Sequence, residues 1–178
     1  MKSSIKAAVS GLCTALSVVL LFCTSLLYFF TYVVPMVLGV LMMSVKKTFS
    51  ASCAWCVYIG VSVLSMILVP EKESVLMYVL FFGYYPIIKS GIEKIKPAAL
   101  AFIVKLFIFN ISVTAVEVIA YFIFSIPFFE DGVFSSAMLV LFAVLMNVIF
   151  ILYEFLLKNF MVLYEKKLEK HILKIFKI

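Results

Sequence analysis

The sequence predicts an all-α polytopic integral membrane protein: a six-transmembrane-helix bundle with both termini cytoplasmic and a C-terminal basic amphipathic helix. Three observations predict it. Of 178 residues, 66% are hydrophobic and 13% charged, against roughly 45–50% and 25% in a soluble domain. Polar groups this sparse cannot cover a water-facing surface. The apolar residues fall in runs as long as a bilayer is thick, and the basic residues gather in alternate loops. The same composition excludes intrinsic disorder.

A hydrocarbon core about 30 Å thick takes about 20 helical residues. Ala7–Val45 is 39 residues without a charge, or roughly 58 Å of helix at about 1.5 Å per residue. One span cannot absorb that length. Two can, with a turn between Ser25 and Pro35, which predicts helices at about 7–25 and 31–45. Thr31 is placed to cap the second, and Pro35 falls in its first turn, where a missing N–H costs nothing. Lys46 and Lys47 close it. A third run, 50–69, ends at Pro70-Glu71-Lys72-Glu73. The fourth, 74–89, carries Gly83 and Pro86 and is expected to kink. Its Phe81-Phe82-Gly83-Tyr84-Tyr85-Pro86 stretch is expected to form an aromatic belt at the inner interface, with a flexible element around a cavity as the alternative. The fifth, 98–124, stops before Pro127 and the acidic turn Glu130-Asp131-Gly132, and the sixth is 133–157. Residues 1–157 thus form the transmembrane domain and 158–178 a cytoplasmic tail. Barrel strands would alternate apolar and polar residues, and these runs do not. The first run is too long for a signal peptide and lacks a cleavage site, so the first helix is expected to stay.

All fifteen basic residues are lysines. Six spans put Lys2, Lys6, Lys46, Lys47, Lys89, Lys94, Lys96 and the six lysines from Lys158 to Lys177 on one side. Lys72 alone falls on the other, with Glu71, Glu73, Glu130 and Asp131. The positive-inside rule makes the lysine side cytoplasmic, in a bacterial cytoplasmic membrane. The net charge of +6 therefore orients the chain and does not point to nucleic acid. In the tail, Met161, Tyr164, Leu168, Ile172 and Ile175 recur at helical spacing between lysines. That pattern fits an anchor to anionic lipid headgroups or a docking surface for a cytoplasmic partner.

Ionisable groups inside a span cost about 2.5–3.5 kcal/mol on insertion scales and mark functional sites by default. Lys105, Glu117 and Glu154 qualify, with Asn110 and Asn147 beside them. Asn110, Thr114, Glu117 and Tyr121 make one polar stripe on the fifth span, and Asn147 and Glu154 share a face of the sixth. Antiparallel packing brings Lys105 near Glu154, which predicts a structural ion pair at the cytoplasmic end. Glu117 is left in the outer half without a basic partner, as a ligand contact or as a buried structural hydrogen-bonder. The candidate substrate-binding residues are Glu117, Asn110, Tyr121 and Asn147.

Other motifs carry less. Cys53-Ala54-Trp55-Cys56 has redox spacing, but in a reducing compartment it fits packing better. The single histidine, His171, is in the tail, and neither a metal-binding pattern nor a phosphate-cradling loop appears. No metal, cofactor or enzymatic activity is expected. Ala7, Gly11 and Ala15 form a small-residue ridge that lets another helix approach closely.

The run Ala7-Ala8-Val9-Ser10-Gly11-Leu12-Cys13-Thr14-Ala15-Leu16-Ser17-Val18-Val19-Leu20 resembles the first helix of the substrate-binding S components of energy-coupling-factor transporters. Those are small bacterial proteins of six membrane helices with both termini inside. The resemblance implies that Ala7 and Ala15 pack against a transmembrane coupling subunit. Gly11 departs from the family's alanine spacing but keeps the close approach. It also implies separate cytoplasmic ATPases and a substrate, in that family mostly a vitamin or metal ion, held in the outer half near the depth of Glu117. The Phe81–Pro86 stretch is also similar to one in uncharacterised small membrane proteins of Gram-positive bacteria. Two functions are therefore carried forward: a substrate-binding subunit for uptake of a small solute, and a non-transport scaffold or envelope-assembly subunit.

Overall fold

The computed structural model describes residues 3–26, 30–124 and 136–168. The acidic turn Glu130-Asp131-Gly132 and the tail from residue 169 onward, with His171, lie outside the described residues. Among the described residues every regular element is helical: α1 (Ser3–Thr24), α2 (Val33–Thr48), α3 (Ala51–Leu68), α4 (Lys72–Met77), a π-helical turn (Tyr78–Phe82), α5 (Tyr85–Ile92), α6 (Ala98–Phe124), α7 (Ser136–Leu163) and a second π-helical turn (Tyr164–Leu168). Five segments are long and apolar enough to cross a membrane: Lys6–Thr24, Ala51–Leu68, Lys72–Ile92, Ala98–Phe124 and Val140–Lys166. Helix α2, the remaining expected span, has 16 residues. Its length falls short of the roughly 20 residues a bilayer core takes.

Local chemistry accounts for the boundaries. Tyr32, not Thr31, is the N-cap of α2, and it makes no side-chain cap bond; its hydroxyl instead reaches across the fold to Glu73. Ser50 is extended and accepts a hydrogen bond from the Cys53 N–H at 3.2 Å, which opens α3 directly after α2. At the other end of α3, the Lys72 ammonium donates to the carbonyls of Met66 (2.8 Å) and Val69 (2.7 Å). The expected kink is a π-turn: the Gly83 N–H bonds the Tyr78 carbonyl five residues back, at 2.8 Å, and Pro86 restarts the helix in the first turn of α5. A π-turn lets the chain re-phase without leaving buried backbone groups unbonded. Helix α7 runs unbroken past Leu157 to Leu163.

Side-chain ties fix which ends meet. Lys46 donates to the Ile87 carbonyl at 2.7 Å and to Ser90. Lys47 pairs with Glu165 at 3.2 Å, and Thr48 bonds Tyr164. The C-terminal ends of α2, α5 and α7 therefore share one end of the bundle, the lysine end. Tyr32 and Glu73 join the N-terminal ends of α2 and α4 at the opposite end.

Two cores result. One joins α1, α2 and α3 through Leu21, Leu38, Met42, Val57 and Val61. The other is aromatic and joins the first π-turn to α5, α6 and α7. Phe81 stacks on Tyr85 (centroids 4.6 Å apart) and meets Phe109 edge-on (5.0 Å), and Phe109 stacks on Phe150 (4.9 Å). The interfacial-belt expectation for this stretch is thereby corrected. Phe81, Phe82 and Tyr85 are fully buried, because their rings pack on Phe109, Phe150 and Tyr153 of α6 and α7. Gly39 is where α2 crosses this core: a Cβ there would lie 2.8 Å from the Phe82 carbonyl and closer still to the Tyr153 hydroxyl. The outer surface, in contrast, exposes Leu12, Phe22, Ile67, Phe107, Ile123 and Leu152, among others. Such a surface is stable in lipid and not in water, which fits a multi-pass membrane protein.

Candidate functional site

The polar residues of α6 and α7 lie at three levels. Nearest the lysine end is an ionic network. The Lys105 ammonium sits 2.8 Å from Glu154 and 3.0 Å from Glu93. Lys89 sits 2.6 Å from Glu154 and 2.9 Å from Glu93, and the Tyr85 hydroxyl donates to Glu154. Two ammoniums thus face two carboxylates. Both lysines are buried. Glu93, just past α5, is about half exposed. Burial raises the pKa of its carboxyl, but the hydrogen bonds from Lys89 and Lys105 outweigh this and hold it below the usual carboxylate value. The sequence pointed to Lys105 and Glu154. Lys89, Glu93 and Tyr85 were not placed with them, although the four-residue spacing of Lys89 and Glu93 was a usable signal.

Above the network, Asn110 and Asn147 exchange amide hydrogen bonds across α6 and α7, at 3.0 and 3.2 Å. Each amide spends its other N–H on its own helix, Asn110 on the Leu106 carbonyl (2.8 Å) and Asn147 on the Ala143 carbonyl (2.7 Å). Both are therefore saturated as donors. Phe109 and Phe150, both buried, lie directly beside this level on the lysine side.

From the asparagine pair a groove of about 590 Å³ runs between α6 and α7 toward the opposite end. Its walls include Asn110, Thr114, Glu117, Tyr121, Phe122 and Phe142. Three of the four residues selected from sequence thus share it. Asn147 contributes only by holding Asn110. Glu117 lies about 10 Å from Asn110 along α6, at about 1.5 Å per residue. Both of its carboxylate oxygens are buried, and neither has a hydrogen-bond partner among the described residues. Tyr32 and Glu73, which the sequence did not single out for this site, flank it at the same end. Glu73 is close enough for its charge to act on Glu117. A buried carboxyl with neither counter-ion nor hydrogen bond among the described residues is relieved either by holding a proton or by meeting a ligand.

On α1, Ala7, Gly11 and Ala15 are exposed, and among the described residues a Cβ at Gly11 would meet nothing within 4 Å. The face that packs on α3 is a different one: Thr14 approaches Gly60. Cys53 and Cys56 are free thiols, half-buried and exposed respectively.

No protein-family model, curated protein or solved structure matches this chain.

Proposed function

We propose that this protein is the membrane-embedded substrate-binding subunit of an uptake system, a counterpart of the S components of energy-coupling-factor transporters. It captures a small solute in the groove between α6 and α7, and separate coupling and ATPase subunits supply the energy. The observation that carries this reading is Glu117, a buried carboxylate without a partner among the described residues, in a groove large enough for a small molecule. Pockets of about 300–1,000 Å³ are typical of such ligands.

Two features favour a binding subunit over a pore. The groove ends on a saturated asparagine pair, and the packed rings of Phe81, Phe109 and Phe150 lie behind it. Below them, the neutral lysine–glutamate network ties α5, α6 and α7 together. A solute held above this plug needs an outside agent to move it. The exposed ridge of Ala7, Gly11 and Ala15 offers that agent a close helix contact.

The reading takes all six helices across the bacterial membrane, with both termini and the lysine end in the cytoplasm. The ties of α2 support this. Tyr32 binds it to one end of the bundle and Lys46 to the other, so its roughly 24 Å of helix, at about 1.5 Å per residue, extends from one end of the bundle to the other. Local thinning of the bilayer accommodates the remaining mismatch.

The test is affinity purification of the tagged full chain from its native membrane in mild detergent. Recovery of a transmembrane coupling subunit together with ATPases is the expected result. Their absence from the eluate of cells that make them overturns the uptake reading in favour of the scaffold.

A further inference from the structure

We infer that the groove takes an organic cation: a protonated or quaternary amine carried on an apolar body. This rests on the uptake reading and specifies its substrate class. The groove's polar atoms are unequally spent. The Asn110 amide gives one N–H to Leu106 and one to Asn147. The Thr114 hydroxyl donates to the Asn110 carbonyl at 2.9 Å. These donors are not available to an anion or a polyhydroxyl solute, for which the Tyr121 hydroxyl is the remaining donor among the described groove residues. Glu117, conversely, keeps both acceptor oxygens uncommitted among the described residues; they are buried behind the groove wall, and a ligand meets them when the side chain turns toward the groove.

The charge around the site has the same sign. Glu73 adds a second carboxylate at this end. Lys72, the nearest lysine in sequence to Glu73, is held by the last carbonyls of α3. The walls add the second half of the specificity. Tyr121, Phe122 and Phe142 present ring surface, which attracts an ammonium through the ring quadrupole and covers an apolar body. The same walls argue against a metal ion, which needs several oxygen, nitrogen or sulfur ligands. Among the described residues no group of three or more His, Cys, Asp or Glu side chains is placed to hold one.

The experiment uses the purified full chain in lipid nanodiscs and three probes of similar size. Benzyltrimethylammonium is the cation, neopentylbenzene its uncharged isostere, and 3-phenylpropionate the anion. Thermal unfolding is followed against probe concentration. The cation is expected to raise Tm saturably, with an apparent affinity about tenfold or more above either control, as expected for a desolvated ammonium on aromatic rings. Glu117→Gln abolishes that preference, and Glu117→Asp, which keeps the charge, retains it. If Glu117→Gln does not fold, the Asp variant and the three-probe comparison on the unaltered chain still decide the matter. Equal response to the three probes, no response to any, or a Glu117→Gln protein that still prefers the cation overturns the inference. Co-purification separates the two layers. ATPases recovered without cation preference remove the substrate class and leave uptake standing. Cation preference without ATPases does the reverse.

Discussion

Lys105 and Glu154 meet at 2.8 Å across α6 and α7, yet neither belongs to the other alone. Glu154 also holds Lys89, and Lys105 also holds Glu93. Removing one member of a buried pair strands the rest, at about 3–5 kcal/mol. Glu154→Ala leaves two buried ammoniums facing one half-exposed carboxylate. It is expected to destabilise the protein by about that amount, read as a lower Tm in detergent. Glu93→Ala should cost less, because Glu93 is half exposed and solvent screens it.

The asparagine pair makes a coupled prediction. Asn110→Leu removes one partner and leaves the Asn147 amide unpaired on that side. Replacing both with Leu removes the need as well as the bond. The double variant should recover part of the loss, with a coupling energy of about 0.6–1.7 kcal/mol, the range of hydrogen bonds between membrane helices. A double-mutant cycle on unfolding measures it.

Gly39 and Tyr153 are coupled through space. Gly39→Ala places a methyl group against the Tyr153 hydroxyl and the Phe82 carbonyl. Overpacking of this kind costs about 1–3 kcal/mol. The Tyr153 hydroxyl is buried without a hydrogen-bond partner among the described residues, so Tyr153→Phe alone is expected to be neutral or stabilising. In combination it relieves the nearer clash and leaves the one with Phe82. The double variant should therefore unfold above Gly39→Ala and below Tyr153→Phe.

Glu93 gives a pH dependence of known sign. Its carboxyl titrates below the ordinary value of 4.5 in the folded protein. Its contribution to stability is fully present above the unfolded value and is lost as pH falls through the folded one. Glu71 runs the other way: burial, and then the Glu73 charge, push it up. It therefore costs stability as pH rises past its ordinary range. Tm measured from neutral to acid pH should show a drop below about 4.5 that is shallower in Glu93→Gln. An unchanged acid limb in that variant contradicts the assignment.

The α1 ridge separates folding from partnership. A Cβ at Gly11 meets nothing within 4 Å among the described residues, so Gly11→Leu should leave Tm unchanged or raised by a gain in helix propensity of somewhat under about 1 kcal/mol. It should also lower recovery of the coupling subunit in the purification described above. A loss of Tm locates Gly11 in the core instead.

The long runs and their polar interruptions made most of the helices readable. The fifth expected run is covered by α6, because its apolar residues continue for longer than a bilayer core is thick. The spacing of Asn110, Thr114, Glu117 and Tyr121 made the polar stripe visible, since side chains three and four apart share a helix face. The π-turn was legible only as a kink, because glycine and proline mark where a helix breaks and not how its hydrogen bonds re-form.

The sequence alone determined that this chain is helical, apolar on its outside and rich in lysine at alternate turns. Those properties depend on side-chain chemistry and period, and both are local. Tertiary structure alone decided which polar residues are spent and which are spare. Asn110 and Glu117 look alike as isolated polar residues in a greasy helix. Packing against α7 saturates the first and leaves the second buried and, among the described residues, unpaired. Whether a buried group is satisfied depends on what lies across from it, and that partner is 37 residues away for Asn110.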